Sequence, residues 1–231
     1  MIGLGFGNFQ AVTQAPFSFG NALEFDGAND FVSLSPEINT PNVDFTFSYW
    51  VKHRSSVSSL KPHLRPLTSG TTFIGMLSSN TKVRFTTIAS STADFTIPSV
   101  ADLGWHHIVF SYQHGVGTRC YFDGVESVTG LKVFNQSCNL NAFGIYSTTT
   151  YSDINLDEIV VYNGYAASLS DAQALYNLGN GEFPSVAIPS QTPTAYWRMN
   201  GSGTDTTAVD EQGNYNGTLN NFPASGMWVA H

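Results

Sequence analysis

Carboxylates gather in two short stretches of the chain. Ala22 to Leu34 reads ALEFDGANDFVSL and carries Glu24, Asp26 and Asp30; Asp153 to Glu158 reads DINLDE. Retaining glycoside hydrolysis needs two acids about 5–5.5 Å apart, and inverting hydrolysis a wider pair. Alternate residues of a strand share a face and lie about 7 Å apart, so Asp153, Asn155 and Asp157 would face one way. That set lacks the two glutamates of a Glu-x-Asp-x-Glu strand. Glu24 and Asp26 share a face too, but the adjoining FDG reads as a turn. Neither stretch is expected to be catalytic.

Other chemistries fare no better. His106, His107 and His114 are close together, yet no G-x-S-x-G elbow supplies a nucleophile. His106 and His107 point to opposite faces of one strand, so one of them is expected to be buried and hydrogen-bonded. With His53 and His63 they could suggest zinc, but no H-x-x-x-H pair falls on a helix. Cys120 and Cys138 are too few for a metal cluster or a disulfide scaffold and are read as free, half-buried thiols. Sugar binding asks for an aromatic ring and a few polar groups. Trp50, Trp105 and Trp197 sit in strand motifs and are expected to be packed. Trp228 lies in a glycine-flanked segment and offers an exposed ring; Tyr146 and Tyr151, around the STTTYS loop, offer a second surface.

The composition narrows the partners. The chain has 231 residues, a net charge of -8 and nine scattered Lys and Arg. Such a balance disfavours a phosphate backbone, so no nucleic acid is expected. No apolar run approaches the roughly 18 residues of a membrane span. The opening MIGLGFGNFQAVTQ lacks the basic start and continuous apolar core of a signal peptide, so retention in a cytoplasm, or export by another route, is expected.

Strand signals position these residues. DFTFSYWVK (44–52) alternates Phe45, Phe47, Tyr49 and Val51 against Thr46, Ser48 and Trp50. Further runs at 71–77, 82–88, 93–98, 105–113, 118–124, 139–147 and 155–163 are separated by turn residues, the pattern of a sandwich or jelly roll. One helix is predicted in SDAQALYNLGNG, with Ser170 as N-cap, Gln173 three residues on and Gly179 past the end. Residues 1–20 form a Phe- and Gly-rich arm whose Phe6, Phe9, Phe17 and Phe19 favour docking. Residues 183–192 read as a linker. Strands at Ala195–Met199 and Gly217–Leu219 then flank a polar turn region too small to fold alone.

The series ALEFDGANDFVSL, FTFSYWVK, GWHHIVFSYQHG, CYFDGV, FGIYS and NLDEIVVYNGYAASLSDAQALYNLG resembles, in order, a LamG-like, concanavalin A-like jelly roll. The resemblance covers roughly residues 20–180. It implies an all-β antiparallel sandwich with one short helix over 21–182. The arm 1–20 would precede it, and 183–231 would add strands to the sandwich or to a neighbour. It also implies a Ca²⁺ site using Asp26 or Asp30 with Asp157. The residues themselves fit Asx-turn bonds by Asp26 and Asn29 and a backbone cap by Asp30 as well, and both readings stay open. The tail YWRMN…DEQGNYNGTLNNF resembles a segment that usually begins such domains; its place here resembles bacteriophage virion proteins. The function expected is non-enzymatic: a virion structural or accessory protein, a capsid decoration or fibre subunit, assembling with copies of itself or other virion proteins in a host cytoplasm. The alternative is a carbohydrate-binding or adhesion module for surface glycans.

Overall fold

The computed structural model describes residues 17–41, 43–65, 73–77, 79–86, 92–133 and 138–231, with the backbone alone at Cys138. Phe6, Phe9 and the Cys138 thiol therefore lie outside the described residues.

Two antiparallel sheets make a sandwich. The first runs β10 (Val125–Glu126), β9 (Gly117–Phe122), β8 (Trp105–Gln113), β3 (Phe45–His53), β14 (Asp153–Asn163), β1 (Asn21–Asp26) and β18 (Trp228–Ala230), with β15 (Ala195–Trp197) also on β14. The second runs β16 (Thr207–Ala208), β17 (Gly217–Asn220), β2 (Phe31–Thr40), β11 (Cys138–Phe143), β4 (Lys61–Arg65), β5 (Phe73–Met76), β6 (Lys82–Thr86) and β7 (Thr92–Thr96). A small hairpin, β12 (Ile145–Ser147) and β13 (Thr150–Tyr151), stands apart. The alternation of β3 works as predicted. Phe45, Phe47, Tyr49 and Val51 enter the core between the sheets, beside Phe25, Ile108, Phe110, Leu156 and Trp197. Ser48 and Trp50 face outward with His107. Among the described residues no helix is long and apolar enough to cross a membrane.

The helix α1 (Leu169–Tyr176) covers the outer face of the first sheet through Ala172 and Leu175. Its N-cap is Ser168, not Ser170. Ser168 accepts from the Asp171 N–H while the Asp171 carboxylate accepts from the Ser168 N–H at 2.7 Å, an acidic version of the capping box. It ends at Asn177, in the left-handed region, ahead of the expected Gly179. The stretch read as a linker is packed: a second short helix, α2 (Pro184–Ala187), and Ile188 join Val160, Tyr162 and Tyr196 in a buried cluster. The run 139–147 is two strands because Gly144 turns it at φ +80°, where a Cβ would lie 2.4 Å from the Phe25 ring.

The tail pairs within its own chain. β15 joins β14 through Ile159↔Trp197 and Val160↔Tyr196, β17 joins β2 through Val32↔Leu219, and β18 joins β1 through Leu23↔Trp228. Of the arm, Phe17 meets Phe183 edge-on and Phe19 stacks on His231 with ring centres 3.5 Å apart.

Candidate functional site

The tail builds a cleft of about 540 Å³ at the edge of the first sheet, lined among others by Arg198, Asn200, Thr204, Thr207, Glu211 and Trp228. Its organising residue is Asp210, which is buried. One Asp210 oxygen accepts the N–H groups of Tyr196 (2.8 Å) and Gln212 (3.0 Å), the other those of Asn214 and Tyr215 (both 3.0 Å). Four backbone donors on one carboxylate fix the turn DEQGNY against β15. The Trp197 indole N–H donates to the Tyr215 carbonyl at 2.8 Å, tying the same turn to the core. Sequence reasoning missed Asp210; its only signal was the density of turn formers around it.

Trp228 forms the apolar wall. Its indole N–H donates to the Asp205 carbonyl at 3.1 Å. Its ring lies flush on Gly201, where a Cβ would fall 2.3 Å from the indole; only glycine allows that approach. Asn21 and Asn200 fix the segment on which the ring lies. The Asn200 side chain accepts from the Asn21 N–H, and the Asn21 side chain donates to the Gly201 carbonyl, both at 2.8 Å. The result is a half-buried indole facing exposed threonines and the Glu211 carboxylate.

Beside the cleft, β14 carries a bulge. Between Asp157 and Val160 the register with β3 shifts, and Glu158 adopts φ +47°. A bulge breaks strict alternation, so Asp157 and Glu158, neighbours in sequence, are both buried. Asp157 is hydrogen-bonded to His231 Nδ1 at 2.7 Å, and His231 is sandwiched between Phe19 and Trp105. Burial, then the charge of Glu158, pushes the Asp157 carboxyl well up, while burial lowers the His231 imidazole to about 4. Glu158 accepts from the Tyr196 hydroxyl and from Arg198, whose guanidinium lies 5.0 Å from the Phe183 ring. Burial outweighs those bonds and lifts Glu158 to about 7. Both acids are fully engaged inside the protein.

The structure does not bring the expected calcium ligands together. Asp26 pairs with Asp153 across β1 and β14, and Asp157 lies four residues farther along β14, about 13 Å at strand rise. Asp26 Oδ1 caps the Ala28 N–H at 2.7 Å, and Asp30 Oδ2 accepts the Asp26 N–H at 3.1 Å. Asp30 Oδ1 is buried without a partner, and burial raises this carboxyl to about 6. Among the described residues no three His, Cys, Asp or Glu groups are placed to hold a metal, and Asp157 is engaged by His231 rather than by Asp26 or Asp30. Tyr146 has the Arg65 guanidinium 5.0 Å over its ring, and Tyr151 donates its hydroxyl to the Thr148 carbonyl; neither lines the Trp228 cleft. Both histidines of the 106–107 pair are buried. His107 shares a 2.8 Å bond with Ser48, and His106 lies between Asp102 and Asp123. Trp50 and Trp197 are packed as expected, and Cys120 is a buried free thiol.

The sequence matches, over residues 26–174, a family model described as the concanavalin A-like lectin/glucanases superfamily. The chain belongs to that superfamily. No curated protein matches it in sequence. Among solved structures it is similar to a Bacteroides ovatus protein whose description proposes carbohydrate binding. The TM-score is 0.62 at 15% identity, over 89% of this chain and 59% of that one. It is also similar to a heptameric SAP-like pentraxin from Limulus polyphemus, with a TM-score of 0.51 at 12% identity over 68% of this chain and 82% of that one. At such identities these likenesses speak to the concanavalin A-like fold. The chain spans about three fifths of the Bacteroides ovatus structure, and the family model stops before the tail that builds the cleft.

Proposed function

We propose that the chain is a non-catalytic carbohydrate-binding module whose ligand, a glycan, stacks on Trp228. One observation carries this reading: a half-buried indole forms one wall of a 540 Å³ cleft whose other lining is largely hydroxyl, amide and carboxylate. A sugar presents an apolar C–H face and a polar edge, and such a cleft matches both. Superfamily membership and the described role of the Bacteroides ovatus protein support the same reading.

The expectation of a virion structural protein drew on the low charge density, the absence of a signal-peptide pattern and two apolar, glycine-rich termini in need of partners. As far as they are described, those termini find partners in their own chain: Phe17 and Phe19 on Phe183 and His231, and the tail strands on β1, β2 and β14. The neighbouring acids Asp157 and Glu158 are buried, engaged by His231, Tyr196 and Arg198, and neither lines the cleft. The test is a glycan array probed with the wild-type chain and with Trp228→Ala. Retention of one glycan class by the wild type, and its loss in the variant, is the expected result. No retention of any glycan would refute the reading.

A further inference from the structure

We propose that the open side of the sandwich is a docking groove for an extended peptide segment that sets an apolar residue beside a lysine or arginine. The groove lies where the two sheets part, between the end of β7 and the β9–β10 hairpin, and encloses about 460 Å³. It is distinct from the Trp228 cleft and shares no lining residue with it.

Strand register gives the groove its character. Val125 pairs with Phe122 across the Asp123-Gly124 turn, and directly opposed residues share a face of the sheet. Phe122 belongs to the core. Val125 therefore points the same way, into the gap between the sheets, yet it is 66% exposed. Val128, 88% exposed, extends the apolar surface, and Ile97 lies in the same lining. Here the core runs out to solvent instead of being closed by the facing sheet. The two exposed valines above buried Phe122 and Ile97 give the groove an apolar floor that one ligand side chain could cover.

The gap is held open at a fixed width. The Ser127 hydroxyl donates to the Thr96 carbonyl at 2.7 Å, and the Thr129 hydroxyl accepts the Thr96 N–H at 2.8 Å. These bonds tether the segment after β10 to the last residue of β7, so the groove is preformed and needs little reorganisation on binding.

Charge selects the occupant. Asp102, Asp123 and Glu126 line the groove, against His106 as the one basic group of the lining. His106 is held by both aspartates, Nε2 to Asp102 at 3.0 Å and Nδ1 to Asp123 at 2.8 Å. Arg119, from β9, pairs with Glu126 from outside. Asp102 keeps 62% of its side chain exposed, so a carboxylate faces the incoming ligand. The chain as a whole carries -8, which repels a second copy of itself and steers a basic partner in. Walls so apolar offer a polyhydroxyl ligand little.

The test uses the full chain as bait for phage-displayed random heptapeptides, followed by titration of the enriched peptides. The expected winners carry Lys or Arg next to Val, Leu, Ile or Phe. Their affinity should fall about tenfold or more in the double variant Val125→Ser, Val128→Ser, which removes the apolar contact without adding charge, and stay unchanged in Trp228→Ala. Both valines are exposed, so the variant should fold, and its melting temperature checks this. No enrichment, acidic or uncharged winners, or equal affinity in the double variant would overturn the proposal. So would a wild-type dimer by light scattering that the double variant abolishes, which would make a second copy the occupant.

Discussion

Glu158 is held against its chemical preference, and that has a measurable consequence. Burial raises its pKa from the ordinary 4.5 to about 7, against the lowering bonds from Tyr196 and Arg198. Between those values the native state keeps a proton that the unfolded chain has lost. Stability from this group is therefore fully present below pH 4.5 and is lost as pH rises toward 7. At about 1.4 kcal/mol for each unit of pKa, the loss has a ceiling of about 3 kcal/mol. Glu158→Gln keeps the shape and removes the titration. Other groups also make stability depend on pH; burial, for instance, lowers His53 and His107 to about 4. Groups away from Glu158 contribute equally to both chains and cancel in the difference; Asp157, which the charge of Glu158 pushes up, titrates together with it and is read as part of the same pair. Urea unfolding of the two chains at pH 5 and pH 8 supplies the four numbers. The stability of the Gln variant relative to wild type should rise by about 2–3 kcal/mol from pH 5 to pH 8. Parallel profiles, with no change in that difference, would refute the argument that the bulge buries a proton-binding carboxylate.

Two further substitutions test the frame. Gly144→Ala places a Cβ against the Phe25 ring at a positive φ, and the strain and overpacking should cost about 2–5 kcal/mol in a thermal or urea melt. Asp210→Ala strips the acceptor from four backbone N–H groups. It should cost about 3–4 kcal/mol and abolish glycan retention, because the turn that frames the cleft loses its anchor.

Regular elements were legible in the sequence because each obeys a single local rule. The alternation of β3 announced which of its side chains meet the core between the sheets. Trp228, expected to be exposed from its glycine-flanked place, is half-buried and packs against the core. What stayed hidden depends on long-range register. Period-two counting set Asp157 on one face with Asp153 and Asn155, whereas the bulge buries Asp157 and Glu158 side by side. The pairing of Asp26 with Asp153 could not be read locally, and it is this register that separates Asp157 from Asp26 and Asp30. Residues 183–192 looked like a linker because Pro and Ser punctuate them. They fold because Ile188 finds Val160 and Tyr196 from distant strands. Asp210 looked like one more turn residue, and only the folded turn reveals the four donors that converge on it.

The central claim is that sugars stack on Trp228, and the indole N–H resonances test it most directly. Trp228 donates its N–H to Asp205 at the rim of the cleft, while Trp197 donates to Tyr215 within the core. The four tryptophan signals can be assigned by single substitution and then followed while the glycan retained on the array is added. The account predicts that the Trp228 signal shifts and saturates with the glycan while the Trp197 signal stays fixed. A glycan that binds without moving the Trp228 signal would contradict it, and the ligand site would have to be sought elsewhere on the sandwich.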